Sequence, residues 1–404
     1  MNVWMLTAAM LLVPMDQAQS DHLRAYGVTY WAVQHGIRAS WILNYRGGSF
    51  LLADLPEVRR RCTLMGVTCV PLSDGDLAQI RAMIPTHNMD ELRLEKAPRV
   101  AVYVPPYAEP WDDAVTLALD YARIPYDRIY DRDILEGALD RYDWLHLHHV
   151  DFSGQFGKFG QYAGQRWYQE RKRMEEALAR QYGFRRVADL KLAVARRIKA
   201  FVRRGGFLFA MCSAPITLDV ALAAEGVDIV DAFYDGTPVD PDYASRLDYS
   251  KTLAFTNFQV FPAPFLYEHT DIDVTQQALR RGERAHFLLR EFSAKVDQVP
   301  AILTQDHTRA IREFLGQDTG FRRDRIKRGV VVLADVPGTE EVKYIYGTYG
   351  EGFFSYLGGH DPEDYQHLVG DPPTDLSRHP HSPGYRLILN NILFPSARRK
   401  PLKT

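Results

Sequence analysis

Between residues 200 and 217 the chain reads Ala-Phe-Val-Arg-Arg-Gly-Gly-Phe-Leu-Phe-Ala-Met-Cys-Ser-Ala-Pro-Ile-Thr. No other stretch restricts the fold as tightly. Gly205-Gly206 stops the amphipathic helix expected over 188–204. The run 207–211 is short and wholly apolar, which predicts a buried strand. Pro215 fixes its own φ and lacks a backbone donor, so it suits the first turn of a new helix. A strand set between two helices in this way belongs in a parallel sheet. Ala210 and Ala214 stand two residues on either side of Cys212, the spacing of small residues around the nucleophile of a strand-to-helix elbow. Such a turn lifts one side chain, here a thiol, to the mouth of the sheet.

The same alternation recurs on both sides of the elbow. Strands over 11–15, 38–45 and 67–72, with helices over 21–35 and 55–65 between them, predict a βαβαβ unit spanning residues 10–97. The charged, weakly periodic run 87–98 marks a boundary. A second unit, 98–404, opens with strands at 100–104, 126–130 and 144–150 and helices at 111–122 and 132–141. It carries an insertion at 152–187, in which Glu170-Arg-Lys-Arg173 reads as a solvated helix face. After the elbow come a loop-rich stretch over 231–267, a strand at 329–335, a hairpin at 342–357 and a last helix at 384–393. The fold class expected is α/β, three-layered, with a mostly parallel sheet and the N-terminal βαβαβ unit beside it.

Composition removes several function classes. The 404 residues are 46% hydrophobic and 25% charged, enough for a substantial core. A net charge of −2 supplies no basic field, so no nucleic-acid partner is expected. No run approaches 18 uninterrupted apolar residues, so no membrane span is expected. The three cysteines, Cys62, Cys69 and Cys212, make neither a disulfide framework nor a zinc-finger spacing. Cys62 and Cys69 can pair in an oxidising compartment; the alternative is two partly buried thiols. Residues 3–15 are apolar and Ala18-Gln19-Ser20 resembles a cleavage site, but no Lys or Arg precedes them. Residues 1–9 therefore read as a signal remnant or a frayed end, and a periplasmic or secreted location is expected ahead of a cytoplasmic one. No phosphate-binding glycine loop occurs, and no cofactor is expected. The expected partner is a small-molecule or peptide ligand; the oligomeric state is not legible.

Two constellations carry chemistry. Cys212 and His360 both follow strands, where open α/β sheets bind their ligands. A thiol at an elbow faces a helix N-terminus, a histidine within reach would activate it, and Asp361 or Glu363 would orient that histidine. The second is His146-Leu-His-His-Val-Asp151, with His146 and His148 on one strand face and His149 and Asp151 on the other. Alternate histidines on a strand can chelate a metal, with His360, Asp361, Glu363, Asp364 and His367 as possible neighbours. Their commoner role is hydrogen bonding to loop backbone, so no metal ligand is assigned. Tyr107, His148, His149, Asp151 and Ser213 are expected to line a substrate cleft beside Cys212 and His360.

Three segments carry a family resemblance: Phe207-Leu-Phe-Ala-Met-Cys-Ser-Ala214, Tyr349-Gly-Glu-Gly-Phe-Phe-Ser-Tyr-Leu-Gly-Gly-His360, and the closing Tyr385-Arg-Leu-Ile-Leu-Asn-Asn-Ile-Leu393. With them, residues 98–404 resemble the class I glutamine amidotransferase-like (flavodoxin-like) fold, and more closely its trehalose-utilisation-type relatives. Nearly the whole chain is similar to a group of often exported bacterial proteins labelled "asparagine synthetase B". They share its Pro14-Met-Asp-x-x-Gln19, Asn44-Tyr-Arg-Gly-Gly-Ser-Phe50, Gly358-Gly-His-Asp-Pro-Glu-Asp-Tyr365 and Val369-Gly-Asp-Pro-Pro-Thr-Asp-Leu376. Asparagine synthesis itself is not expected: position 2 is Asn2 rather than a nucleophilic cysteine, and the Ser-Gly-Gly-x-Asp-Ser pyrophosphate loop is missing. The resemblance implies Cys212 as nucleophile and His360 as base. The family's His-x-Glu appears here as His360-Asp-Pro-Glu363, and its Pro-Gly-Gly loop as His148-His149-Val150-Asp151. The activity expected is hydrolysis of an amide or related C–N bond. The alternatives are a non-catalytic periplasmic binding protein for a sugar or peptide, and a metal-dependent hydrolase.

Overall fold

Two sheets account for every strand in the computed structural model, which describes residues 9–398. The smaller contains β1 (Met10–Val13), β2 (Ala39–Leu43), β3 (Ser49–Ala53), β4 (Val70–Leu72) and β5 (Asp90–Leu94), in the order β4-β1-β3-β2-β5. Every pairing in it is antiparallel. This corrects the parallel βαβαβ expectation, and the cause is local. Arg46, Gly47 and Gly48 hold φ of +47°, +76° and +86°, folding the chain back so that 49–53 returns beside β2 as a strand of its own. The signal-like residues 1–8 lie outside the described part.

The larger sheet contains β6 (Val100–Tyr103), β7 (Asp127–Ile129), β8 (Trp144–Leu147), β9 (Phe207–Met211), β10 (His286–Leu289), β11 (Ala310–Arg312), β12 (Phe321–Arg322), β13 (Val331–Asp335), β14 (Glu341–Tyr349) and β15 (Gly352–Leu357). Its order is β11-β10-β13-β14-β15-β9-β8-β6-β7, with β12 paired to β14. From β15 through β9, β8 and β6 to β7 the strands are parallel; the rest are antiparallel. The chain is thus an α/β protein with mixed sheets.

Strand periodicity sends alternate side chains to opposite faces. Val100, Val102, Trp144, Phe207, Phe209 and Met211 enter one core; Ala101, Tyr103, Leu145, Leu147, Leu208 and Ala210 enter the other. The first core also holds Val13, Trp41 and Phe50 of the small sheet, so both sheets bury their apolar faces together. Helices α1 (His22–Gln34), α4 (Ala114–Ala122) and the C-terminal helix Pro383–Leu393 pack on one another there. Helix α2 (Pro56–Met65) packs on α1, and α3 (Asp74–Met83) packs on the small sheet. On the opposite face, α7 (Val187–Arg203) packs on α5 (Asp131–Leu135), α6 (Arg166–Gln181) and α8 (Ala214–Ala223). In α6, Arg171 and Glu175 are buried and paired, so the 170–173 run is not simply a solvated face. No helix among the described residues is long and apolar enough to cross a membrane.

The two longest N-terminal motifs join the halves. Arg386, fully buried on the C-terminal helix, donates to the carbonyls of Met15 (3.0 Å) and Gly47 (2.7 Å) and to His307 Nδ1 (3.0 Å). The Gln305 amide exchanges hydrogen bonds with the Asn44 backbone and side chain, at 2.7 and 2.9 Å. A Cβ on Gly47 would lie 2.2 Å from the Met15 carbonyl oxygen, which accounts for glycine at that position.

Candidate functional site

β9 ends at Met211, and the next residue, Cys212, turns the chain into α8 with φ of +54°. A non-glycine residue rarely occupies that region and costs about 1–3 kcal/mol there. The Cys212 amide donates to the Gly359 carbonyl at 3.2 Å, tying the elbow to the turn after β15. That turn is laced in turn to residues 315–318. The Gly359 amide donates to Asp318 and the His360 amide to Leu315, both at 2.8 Å. Gly316 lies so close that an added Cβ would sit 2.8 Å from Gly359 C and His360 N. The loop therefore brings Leu315, Gly316 and Gln317 to the cavity wall that Cys212 shares. Burial pushes the Cys212 thiol up to about 12, the nearby Asp318 carboxyl acts in the same direction, and backbone N–H groups act against both.

The thiol opens on a cavity of about 280 Å³. Cys212, His149, His360 and His367 share its wall with Trp111, Phe159, Tyr162 and Tyr267 and with the amides of Gln161, Gln276, Gln317 and Gln366. Among the described residues no Asp, Glu, Lys or Arg lines it. The surface suits a neutral polar ligand with an apolar face.

Beside the thiol runs a row of imidazoles. The rings of His148 and His149 are 3.9 Å apart, those of His149 and His360 4.1 Å, and those of His360 and His367 4.1 Å. Their positions come from the carboxyl ends of β8 and β15 and the loop that follows β15. The loop after β6 adds Asp112 and Asp113. Asp113 caps α4, accepting from the amides of Val115 and Thr116 at 2.7 and 3.0 Å, and lies 3.2 Å from His148 Nδ1. His149 Nε2 donates to the Asp112 carbonyl at 2.8 Å; a carbonyl only accepts, so that nitrogen carries the proton and Nδ1 the lone pair. Burial, reinforced by the adjoining imidazoles, holds His149 and His360 well below the usual histidine range, and both are neutral near pH 7. Four sets among the described residues have ligand-capable atoms within 4.8 Å of one another: Asp112, His360 and His367; His148, His149 and His360; Asp113, His146 and His148; and Asp364, His367 and Asp371.

The expected site residues separate into three groups. Cys212, His149 and His360 meet at the cavity. Tyr107 and His148 line a second cleft of about 190 Å³, which shares Trp111 and His149 with the first; the Tyr107 hydroxyl donates to Glu175 at 2.7 Å. Asp151, Ser213, Asp361 and Glu363 do not line the cavity. The Asp151 carboxylate is taken up by its own loop, accepting from the Ser153 amide and hydroxyl and the Gly157 amide at 2.6–2.7 Å. Ser213 is buried against Val150. Asp361 accepts from the Glu363 amide, and Glu363 pairs with His379, so neither orients His360; its nearest carboxylate is Asp112, at 3.9 Å. Asp112, His367 and the 316–318 loop have no local sequence signature that ties them to the elbow. Only the close packing required at Gly316 leaves a trace.

No protein-family model matches the chain, and no curated protein matches its sequence. Among solved structures, two cytoplasmic proteins from Salmonella typhimurium are similar to it over 74% of this chain and 100% and 99% of theirs. Their identities are 10% and 12%, each with a TM-score of 0.37. A beta-galactosidase from Bacillus circulans sp. alkalophilus is similar over 72% of this chain and 32% of its own, at 12% identity and a TM-score of 0.27. Likeness at this level assigns neither a fold family nor an activity.

Proposed function

We propose that the protein is a hydrolase of an amide or related C–N bond in a small neutral molecule, with Cys212 as nucleophile. The reading includes a class I glutamine amidotransferase-like architecture for the parallel half of the large sheet. The observation that carries it is the backbone of Cys212, held at φ +54° on a strand-to-helix elbow and facing a cavity. Strain of this kind persists only where the surrounding structure enforces it.

The thiol is protonated in the resting protein, so its proton leaves as the bond to carbon forms. The resemblance points to His360 as acceptor. His149 has the fixed tautomer the role needs, with Nδ1 carrying the lone pair, and we assign the role to it. Attack of sulfur on the carbonyl carbon gives a tetrahedral oxyanion, which backbone N–H groups of the elbow and of the 316–318 loop would stabilise. His149 returns the proton to the departing nitrogen, the amine leaves, and water cleaves the thioester. The test is release of amine or ammonia from a panel of primary amides and short peptides by wild type, Cys212→Ser, Cys212→Ala and His149→Gln. Loss of about 10³-fold or more in Cys212→Ala supports the reading; turnover that survives Cys212→Ala ends it.

A second reading, capture of a neutral ligand without turnover, is favoured by the uncharged, aromatic and amide-rich cavity wall. A sugar or peptide that raises the melting temperature and is recovered intact would support it.

A further inference from the structure

Four imidazoles and a carboxylate lie together beside the cavity, and the amide-hydrolysis reading uses only one of them. Nε2 of His360, Nε2 of His367 and both carboxylate oxygens of Asp112 are buried without a hydrogen-bond partner. They are nevertheless close: Asp112 Oδ1 lies 3.1 Å from His367 Nε2 and 3.9 Å from His360 Nε2. Atoms this near but misaligned for hydrogen bonding are what results when several lone pairs converge on a common point rather than on one another. Two ligands each about 2.0–2.1 Å from a tetrahedral ion stand roughly 3.3 Å apart, a value between these two distances.

We propose that Asp112, His360 and His367 bind one divalent transition-metal ion of the zinc class at the wall of the Cys212 cavity. The donor set selects the metal class. Two imidazoles and one carboxylate suit zinc, cobalt, iron or manganese, whereas calcium and magnesium take oxygen ligands. The supporting groups also fit. Asp364 Oδ2 lies 3.0 Å from His367 Nδ1, which fixes the proton there and directs Nε2 to the ion. The stacked rings of His149 and His148 close the side of the site away from His367. Three protein ligands leave at least one position for water or substrate, the pattern of a catalytic rather than a structural site. His360 and His367 both line the cavity that Cys212 also lines.

The experiment is metal binding, and it stands apart from any activity. Full-length protein stripped with chelator is titrated with Zn²⁺ by calorimetry and, in parallel, with Co²⁺ by visible absorption. Wild type and Cys212→Ala are expected to bind one equivalent with equal affinity. The Co²⁺ bands should lack thiolate charge transfer, since Cys212 is outside the ligand set. His367→Ala and Asp112→Asn are expected to weaken binding by about 100-fold or more. Asp364→Asn, which keeps all three ligands, should weaken it by roughly 10- to 100-fold and serves if the ligand variants do not fold. Absence of stoichiometric Zn²⁺ binding by wild type, or equal binding by Asp364→Asn and by the ligand variants that fold, would overturn the proposal. Loss of binding in Cys212→Ala would overturn the ligand set. Metal binding with no amide hydrolysis would leave this site standing and remove the function proposed above.

Discussion

At the scale of single residues, the site is built from groups whose charge state the fold dictates. Cys69 is half-buried, and the neighbouring Cys62 lowers its range, whereas burial raises that of Cys212 to about 12. Iodoacetamide at pH 8 is therefore expected to label Cys69 well before Cys212, which peptide mass mapping over time will show. The acids divide in the same way. Burial opposes ionisation of Asp151, but His269, Gly157 and Ser153 hold its carboxyl below the usual carboxylate range. Burial, followed by the negative fields of Asp273, Asp151 and Glu268, lifts Asp318 far above that range, and it stays protonated. Asp151→Asn should thus cost about 3 kcal/mol in urea unfolding at pH 7, and Asp318→Asn less than about 1 kcal/mol. The sign for Asp151 follows from its lowered range. Its contribution is complete above about pH 4 and is lost as the pH falls and the carboxylate protonates.

At the scale of elements, close approaches and buried pairings decide which sequence signals can be read. The elbow, the strands on either side of it and the 341–357 hairpin are legible because glycine and proline punctuate short apolar runs. β3 is not, since Ser49–Ala53 follows β2 after a tight turn and leads directly toward α2, so that it reads as part of the connection between them. β5 is hidden because Asp90, Glu91 and Arg93 give a strand a linker's composition. The imidazole row shows only its individual histidines, because the contact of His149 with His360 and of His367 with Asp112 spans long stretches of chain. Helix packing yields two expectations. A Cβ on Gly27 of α1 would lie 1.7 Å from the Ala122 carbonyl oxygen on α4, so Gly27→Ala should cost about 2 kcal/mol or more in denaturant unfolding. His22, at the start of α1, stacks on His307; burial, with Arg386 and His307, lowers it to about 3. It stays neutral in the fold while the unfolded chain protonates below about pH 6.5. Stability from this group is complete above that pH and falls between about 6.5 and 3, by on the order of 4 kcal/mol in total. Melting curves of wild type should show that slope, and His22→Gln should flatten it.

For the molecule as a whole, one apolar core runs from Val13 and Trp41 through Phe207 and Met211 to Leu387, so the two sheets are expected to melt together. Calorimetry should show one transition, with calorimetric and van't Hoff enthalpies in agreement. The core fixes the backs of β6, β8, β9 and β15, and their carboxyl ends deliver thiol, imidazoles and carboxylate to one cavity. The central claim is that the strained elbow is there for nucleophilic chemistry. It is tested most directly by quenching turnover of an amide substrate in acid and measuring the intact mass and the peptide carrying Cys212. The account requires an acyl adduct on Cys212 that hydroxylamine removes and that is absent from Cys212→Ala. Continued turnover by Cys212→Ala, with no adduct on the wild-type cysteine, would contradict it.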